Sequence, residues 1–326
     1  MHLLGIGYRG EACDLGGATL HPTNLAGGDV FAAFQAAKMA AALDARVVLL
    51  VHDVWMLHSH MRTLGGGRAR LVAYVPIDGR FVDDRYLAPL GAVDRFVAYT
   101  EFGRAQLEAW TDVPVSVIPH GVDTEAFRPL PGARRDGFVV LNANRPLERK
   151  RIDLTVEGFA LFARGKPPDV RLRLHHALPG DIGRVGIADR VDVTTGALSD
   201  EELNVVYNSC AVGVNTAMGE GWGLVSFEHA AAGAAQVVPD SSACAELWQG
   251  SAEVVPAEDT GVPGFSPLAM RTVSAQGVAD ALERLYADPE HLRAMSEAAR
   301  RNATRPRYSW DAIGEQWLGL LEEVAA

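Results

Sequence analysis

The segment from Met218 to Gly233 combines residue types that could bind an anion. It reads M-G-E-G-W-G-L-V-S-F-E-H-A-A-A-G and follows a short apolar run that ends at Asn215. Its first three glycines allow a tight turn and a close approach of the backbone to a ligand. A helix predicted from Leu224 would present amide hydrogens and partial positive charge at its N-terminus. These features favour a phosphate site on the amides of Gly223 and Leu224.

Two glutamates in this segment predict a second kind of contact. Glu220 precedes the predicted helix, and Glu228 lies within its first turns. A carboxylate beside a phosphate repels it unless the carboxylate faces hydroxyl groups, which favours phosphate on the amides and sugar hydroxyls on the carboxylates. A plain strand–turn–helix with two surface glutamates has the same spacing, and this segment taken alone leaves both interpretations open.

A basic cluster follows the strand predicted at Phe138–Asn142. Residues 142–151 read N-A-N-R-P-L-E-R-K-R and carry four cationic side chains. Ligands of open α/β sheets bind at the carboxyl ends of the strands. The planar guanidinium of Arg145 could donate to two phosphate oxygens at once, and the ammonium group of Lys150 could supply a compact positive charge. Taken alone, the cluster could also be a solvated basic loop. If the phosphate site lies after a neighbouring strand, however, the basic cluster and the phosphate site would face the same cleft.

Short apolar runs alternate with helical patterns along the chain, which predicts parallel sheets with crossover helices. In the first half the predicted strands are Leu3–Gly7, Val47–Val51, Leu71–Val75, Arg95–Tyr99 and Val115–Ile118, and the predicted helices are Val30–Leu43, capped by Asp29, and Phe102–Trp110. In the second half the strands are Phe138–Asn142, Val170–His175, Arg190–Thr194, Val212–Asn215 and Gln236–Pro239, and the helices are Leu154–Arg164, Asp200–Asn208, capped by Ser199, and Leu224–Ala232. These series predict an α/β protein with two Rossmann-like, doubly wound domains, residues 1–130 and 137–305, joined by a Pro- and Gly-rich linker. Residues 306–326 contain an amphipathic helix, Trp310–Val324, which we interpret as a packing helix.

Composition excludes several classes of function. A chain of 326 residues with a net charge of −11 is long enough for two domains and lacks the basic face of a nucleic-acid-binding protein. No apolar run is long enough to cross a bilayer, and the start does not resemble a signal peptide. Three widely spaced cysteines, Cys13, Cys210 and Cys244, are typical of reduced thiols. We therefore expect a cytoplasmic protein without membrane association.

Several motifs together resemble one known family. The segment from Val117 to Pro129 reads V-I-P-H-G-V-D-T-E-A-F-R-P and looks like the interdomain strand of family-4 glycosyltransferases with the GT-B fold. Three further features match the same family in the same order. They are the pair Arg145 with Lys150, the run E-G-W-G-L-V, and the pair Glu220 with Glu228. The resemblance is strong over residues 115–326 and loose before them. It implies two Rossmann-like domains that face a cleft, with the C-terminal helix packing back toward the first domain.

The resemblance also implies a role for each site residue. Arg145 and Lys150 would hold the donor diphosphate and offset charge on the departing nucleotide, and Glu220 would contact hydroxyls of the transferred sugar. The sugar and phosphate pocket would be lined by Gly221, Trp222, Gly223 and Leu224. Glu228 would bind the ribose. The family transfers with retention of configuration and usually without a divalent metal, so no cofactor and no metal are expected here.

The first half of the chain yields fewer candidates. His52 follows a predicted strand and resembles the family's active-site histidine, placed where acceptor and donor sugar meet. A structural histidine near a loop is the alternative. Asp53, Asp78 and Glu101 end predicted strands and could also touch the acceptor. The family's glycine pair could be Gly16–Gly17 or Gly27–Gly28, and we favour the second because it precedes a predicted helix.

These observations predict transfer of a sugar from a nucleotide-sugar to a hydroxyl of a soluble acceptor, either a small molecule or a glycan. The protein would position both substrates, stabilise the leaving diphosphate and exclude water. A sugar phosphorylase or a nucleotide-sugar epimerase on the same fold is an alternative. A catalytically silent nucleotide-sugar-binding or partner subunit is an alternative of another class. It is favoured by the first half of the chain, which looks short for the family, and opposed by intact Arg145, Lys150, Glu220 and Glu228.

Overall fold

The computed structural model describes residues 1–23, 27–133, 137–175 and 186–326. In the first half the strands are β1 (His2–Gly5), β2 (Cys13–Asp14), β3 (Thr19–Pro22), β4 (Val47–Val51), β5 (Arg70–Val75), β6 (Arg95–Ala98) and β7 (Val115–Val117). The helices described there are α1 (Ala33–Ala42), α2 (His58–Leu64) and α3 (Glu101–Glu108). The last four strands form one parallel sheet in the order β4-β5-β6-β7, as the alternating pattern predicted.

The first predicted strand forms but does not join that sheet. It pairs with β3 in a separate three-stranded sheet of order β1-β3-β2. β4 is therefore an edge strand of the larger sheet, and two of its apolar side chains, Leu49 and Val51, are 40% and 54% exposed. The helix predicted from Val30 begins only at Ala33, although Asp29 still accepts a hydrogen bond from the amide of Gln35 in its first turn at 2.9 Å.

The second half contains a larger parallel sheet. Its strands are β8 (Phe138–Asn142), β9 (Val170–His175), β10 (Val191–Thr194), β11 (Val212–Val214), β12 (Ala235–Pro239) and β13 (Glu253–Val255), followed by an antiparallel hairpin of β14 (Ala257–Gly261) and β15 (Met270–Val273). The helices described there are α4 (Ile152–Phe162), α5 (Asp200–Ser209), α6 (Leu224–Ala231), α7 (Ser242–Leu247), α8 (Ala275–Ala287), α9 (Pro289–Ala303) and α10 (Trp310–Ala325). Ser199 caps α5 as predicted, in a capping box with Glu202.

The order of this sheet determines where a ligand can bind. The strands run β10-β9-β8-β11-β12-β13, so the chain builds outward from β8 in one direction and then from β11 in the other. Adjacent loops after β8 and β11 therefore diverge to opposite faces and leave a crevice, which is the usual ligand site of such sheets. Helices α4 and α8 bury one face of the sheet, while α6, α7 and α9 pack over the other.

The C-terminal helix packs against the first domain, as predicted. Ile313 and Leu320 of α10 lie in one buried cluster with Val72 and Tyr74 of β5. Arg95 also forms an ion pair with Glu323 at 2.6 Å. The fold is therefore two parallel-sheet α/β domains joined twice, once by the linker after β7 and once by this returning helix. No helix in the described ranges is both long enough and apolar enough for a membrane span.

The two domains also touch directly beside the crevice. The carboxylate of Glu246 in α7 accepts hydrogen bonds from the amides of Glu101 and Phe102 at the start of α3, at 3.1 and 2.7 Å. Leu268, which precedes β15, is buried in the core of the first domain. These contacts hold the start of α3, which follows β6, and the core of the first domain against the second domain.

Candidate functional site

Two loops flank the crevice between β8 and β11, and hydrogen bonds join them. The hydroxyl of Thr216, which follows β11, donates to the carbonyls of Lys150 and Arg151 at 3.1 and 2.8 Å. The amide of Met218 donates to the carbonyl of Arg149 at 2.8 Å. The basic cluster and the glycine turn, residues 219–223, are therefore one unit, as the predicted shared cleft requires.

Glu220 lies at the centre of this unit. One carboxylate oxygen, Oε1, accepts hydrogen bonds from Nζ of Lys150 at 2.5 Å and from Nδ2 of Asn215 at 3.0 Å. The other oxygen is 3.4 Å from Nη1 of Arg149, and the amide of Glu220 donates to Ser242 at 2.9 Å. Burial raises the pKa of Glu220, but Lys150 and Arg149 outweigh that effect and hold the pKa below its usual value. Glu220 is therefore a carboxylate that is only 4% exposed.

Arg149 extends this charge network across the crevice to the first domain. Its Nε is 3.5 Å from Oδ2 of Asp78, which follows β5, and its Nη1 donates to the carbonyl of Gly219 at 2.8 Å. The other oxygen of Asp78, Oδ1, is buried without a hydrogen-bond partner among the described residues. Burial raises the pKa of Asp78 to about 6, although Arg149 opposes the shift.

The glycine turn packs against the first domain with no room for side chains. A Cβ atom added to Gly219 would overlap the carbonyl oxygen of Asp78. A Cβ atom on Gly221 would lie 2.7 Å from Cβ of Pro76. The glycines predicted for a tight turn thus also permit the close approach of the two domains.

The end of the glycine turn begins the predicted helix. Gly223 caps α6 in the left-handed region with φ of 92°, which glycine adopts without strain. Leu224 is 40% exposed, whereas the ring of Trp222 is buried and stacks on Phe227 with centroids 4.7 Å apart. The indole therefore supports the turn from the core. Its predicted contribution to the ligand pocket stays a prediction.

Glu228 lies one turn farther along α6 and is partly buried. Its Oε2 accepts a hydrogen bond from the hydroxyl of Tyr207 at 2.8 Å. Burial raises the pKa of Glu228 to about 7, and the Tyr207 hydroxyl partly offsets the shift. One carboxylate oxygen is thus held in place, and the group titrates near neutral pH.

Arg145 occupies a different environment from Lys150. It is exposed, on the loop between β8 and a short 3-10 turn at Glu148–Lys150, while Lys150 is buried in that turn. The two predicted phosphate contacts are therefore brought to the same loop, with Lys150 fixed and Arg145 facing solvent.

His52 directly follows β4 and is half-buried. Its Nδ1 accepts a hydrogen bond from the amide of Asp53 at 2.8 Å, and its ring packs edge-on against Phe31. Burial lowers the pKa of His52, so the ring is neutral at physiological pH. The neighbouring carboxyl group of Asp53 has a pKa raised by burial, against the opposing charges of His52 and Arg149.

The predicted glycine pairs lie in two loops of the first domain. Gly27 and Gly28 are exposed before α1, and Gly28 has φ of 77°. Gly16 and Gly17 form the turn between β2 and β3. His58 and His60 bond to backbone carbonyls at 2.9 Å each, and no group of potential metal ligands occurs among the described residues.

Three residues of the site were not assigned these roles from sequence. Arg149 was one of four cations in the basic cluster, and Asp78 was one of several polar groups at strand ends. Tyr207, which holds Glu228, was not singled out. The position of Arg149 beside Lys150 was a usable signal, but its partner in the other domain was not visible in the sequence.

The chain is similar in sequence to known glycosyltransferases. Residues 159–319 match a family model described as "Glycosyl transferase-like". The MMP alpha-(1->4)-mannosyltransferase of Mycolicibacterium hassiacum is 27% identical over 232 residues, which are 66% of this chain and 51% of that protein. The chain spans about half the length of the curated relatives it matches. These matches support a glycosyltransferase family for this chain.

Solved structures with the same fold are GT-B glycosyltransferases. Sucrose-phosphate synthase from Thermosynechococcus elongatus has a TM-score of 0.76 at 17% identity, over 97% of this chain and 86% of that one. HepE from Anabaena, solved with UDP and glucose, has a TM-score of 0.71 at 16% identity, over 94% of this chain and 86% of that one. The predicted fold, two α/β domains of the GT-B type, is thereby confirmed.

Proposed function

We propose that this protein is a glycosyltransferase that moves a sugar from a nucleotide-sugar to an acceptor hydroxyl. The observation that carries the proposal is the joined pair of loops at the switch point of the second sheet. There, Lys150, Arg149 and the first turn of α6 supply positive charge around the glycine turn. Such fixed positive groups are suited to a diphosphate leaving group. The similar sequences and the shared fold support the same class of reaction.

The donor side is assigned to named residues within this proposal. Lys150, together with the exposed Arg145, would contact the diphosphate. The amides of Gly223 and Leu224 would bind phosphate oxygens at the start of α6. Glu228 holds the Tyr207 hydroxyl on Oε2 and would accept hydrogen bonds from ribose hydroxyls on its other oxygen, Oε1. Glu220 would hold Lys150 in position and meet the sugar at the edge of the turn.

The proposed reaction retains anomeric configuration and uses no divalent metal. The acceptor hydroxyl is the nucleophile, and no side chain of the first domain is assigned a covalent role. His52 would hydrogen-bond a sugar hydroxyl where donor and acceptor meet, as a neutral imidazole. We also propose a cytoplasmic location, in keeping with an odd number of widely spaced cysteines, Cys13, Cys210 and Cys244.

A binding and turnover panel tests the proposal. Calorimetry with nucleoside diphosphates, beginning with UDP, should give saturable binding, and the corresponding nucleotide-sugar should slowly release nucleoside diphosphate. Glu228→Ala should weaken nucleoside diphosphate binding about tenfold or more, because a hydrogen bond to a charged group is lost. Glu157→Ala, at an exposed position on α4, is the matched control.

Two outcomes would contradict this assignment. Unchanged nucleoside diphosphate affinity in Glu228→Ala would remove Glu228 from the ribose site. Binding of a nucleotide-sugar without turnover, under every acceptor tried, would favour a silent binding subunit over an enzyme.

A further inference from the structure

A cavity of about 580 Å³ lies in the first domain between the two sheets. Its walls come from β1, from the edge strand β4 and from α1, with His52 and His60 at one end. A volume of this size is typical of small-molecule sites. The cavity exists because β1 pairs with β3 and leaves the edge of β4 open.

The lining of this cavity is mainly apolar, with His2, His52 and His60 among its polar residues. Leu3 and Leu4 of β1 face it, as do Leu49 of β4 and Ala40 of α1. Arg46 is the single charged side chain among the described residues that line it. Burial of a phosphate or carboxylate in such surroundings is costly without paired cations. The cavity is therefore unsuited to a phosphorylated or acidic group and suited to a hydrocarbon one.

The cavity reaches the candidate active site at one residue, His52. Its wall runs along β4 through Val51 to His52, the residue that follows the strand and that we place between donor and acceptor. Asp53, next in sequence, experiences the charge of Arg149 from the donor network. A molecule in the cavity would thus have one end beside the donor site and the rest against apolar walls.

We propose that this cavity binds an apolar group of the acceptor, an alkyl chain or an aromatic ring, while the acceptor hydroxyl lies beside His52. The inference rests on the proposed function and makes the acceptor more specific than a soluble small molecule or glycan. The expected acceptor is an amphipathic molecule, with a hydroxyl at one end and a hydrocarbon group at the other.

Binding of a homologous series of alcohols tests the cavity directly. Calorimetry of the full chain with primary alcohols from 1-butanol to 1-octanol should show affinity that rises about three- to fourfold for each added methylene. In transfer assays with alkyl β-glucosides from methyl to octyl, KM should fall along the series while donor affinity stays constant. An affinity that does not change with chain length, as expected if another polypeptide segment fills the cavity, would overturn the inference.

A cavity-filling variant and its matched control test whether the dependence of affinity on chain length arises in this cavity. Ala40→Phe places a ring in the cavity, and the dependence on chain length should disappear. Ala41→Phe puts the same ring on the exposed side of α1 and should leave it intact. If Ala40→Phe does not fold, the alcohol series on the unaltered chain still decides.

Donor measurements separate failure of this inference from failure of the proposed function. Turnover of a nucleotide-sugar without any chain-length dependence would refute the inference alone. Failure of the unaltered protein to bind or turn over any nucleotide-sugar would refute the proposed function, and the assignment of the cavity to an acceptor with it.

Discussion

The second domain builds its side of the crevice from paired charges, whereas the first domain presents an open apolar edge. In the second domain a buried carboxylate, Glu220, is surrounded by Lys150, Arg149 and Asn215. In the first domain the edge strand β4 exposes Leu49 and Val51 beside a large apolar cavity. A fixed set of charges suits the diphosphate of the proposed donor. An apolar cavity suits an acceptor that differs from one protein to another.

The largest expected effect is at Lys150. Lys150→Ala should lower turnover about 100- to 1000-fold, because its charge stabilises the departing diphosphate more than the ground state. Binding of the free nucleoside should change far less, and calorimetry combined with a turnover assay compares the two. Lys38→Ala, an exposed lysine on α1, should change neither. Equal loss of turnover and nucleoside binding would contradict the role proposed for Lys150.

Stability must be separated from catalysis in that experiment. Removal of Lys150 leaves Glu220 as a buried charge with fewer partners, which by itself costs about 3–5 kcal/mol. The double variant Lys150→Met with Glu220→Gln removes both charges and should recover much of the lost stability. Turnover should stay low, and recovery of turnover would show that Lys150 acts only through folding.

The second largest effect is expected where the glycine turn of the second domain contacts the first domain. Gly219→Ala would push the glycine turn against the carbonyl of Asp78, so the domains must separate or the turn must shift. We expect a loss of about 1–3 kcal/mol in the free energy of unfolding and a drop in turnover. Gly264→Ala, where an added Cβ contacts nothing within 4 Å, is the control. Normal stability and turnover in Gly219→Ala would show that the two domains are not held this closely.

The smallest effect is a pH dependence at the same boundary. Burial raises the pKa of Asp78 to about 6 from 3.8, so the folded protein binds an extra proton between those values. Stability due to this group therefore falls as pH rises from about 4 to 6, by less than about 3 kcal/mol. Chemical denaturation across that range should show a flatter profile in Asp78→Asn than in the exposed control Asp84→Asn. Identical profiles would mean that Asp78 is charged throughout.

The sequence alone determined the second domain as far as β12, whereas β13, the β14–β15 hairpin and helices α7 to α9 were not predicted. Its strands alternate with helices of clear periodicity, and every strand predicted there forms within one residue of its predicted limits. The Glu220–Glu228 segment was identified because a glycine turn between a strand and a helix is a local feature. Residues of this segment that are close in sequence are also close in the folded structure. The same holds for the cap at Ser199 and for the amphipathic helix α10.

Tertiary structure decided the features that depend on distant parts of the chain. The partners Arg149 and Asp78 come from different domains, and only the docking of those domains brings them together. The sequence did not show that the ring of Trp222 stacks on Phe227, because burial of an indole depends on which core side chains the fold brings beside it. β1 was predicted correctly as a strand, but its pairing with β3 left the cavity beside His52. Local pattern specifies an element, whereas strand pairing and charge pairing are settled by competition among all the surfaces available in the folded chain.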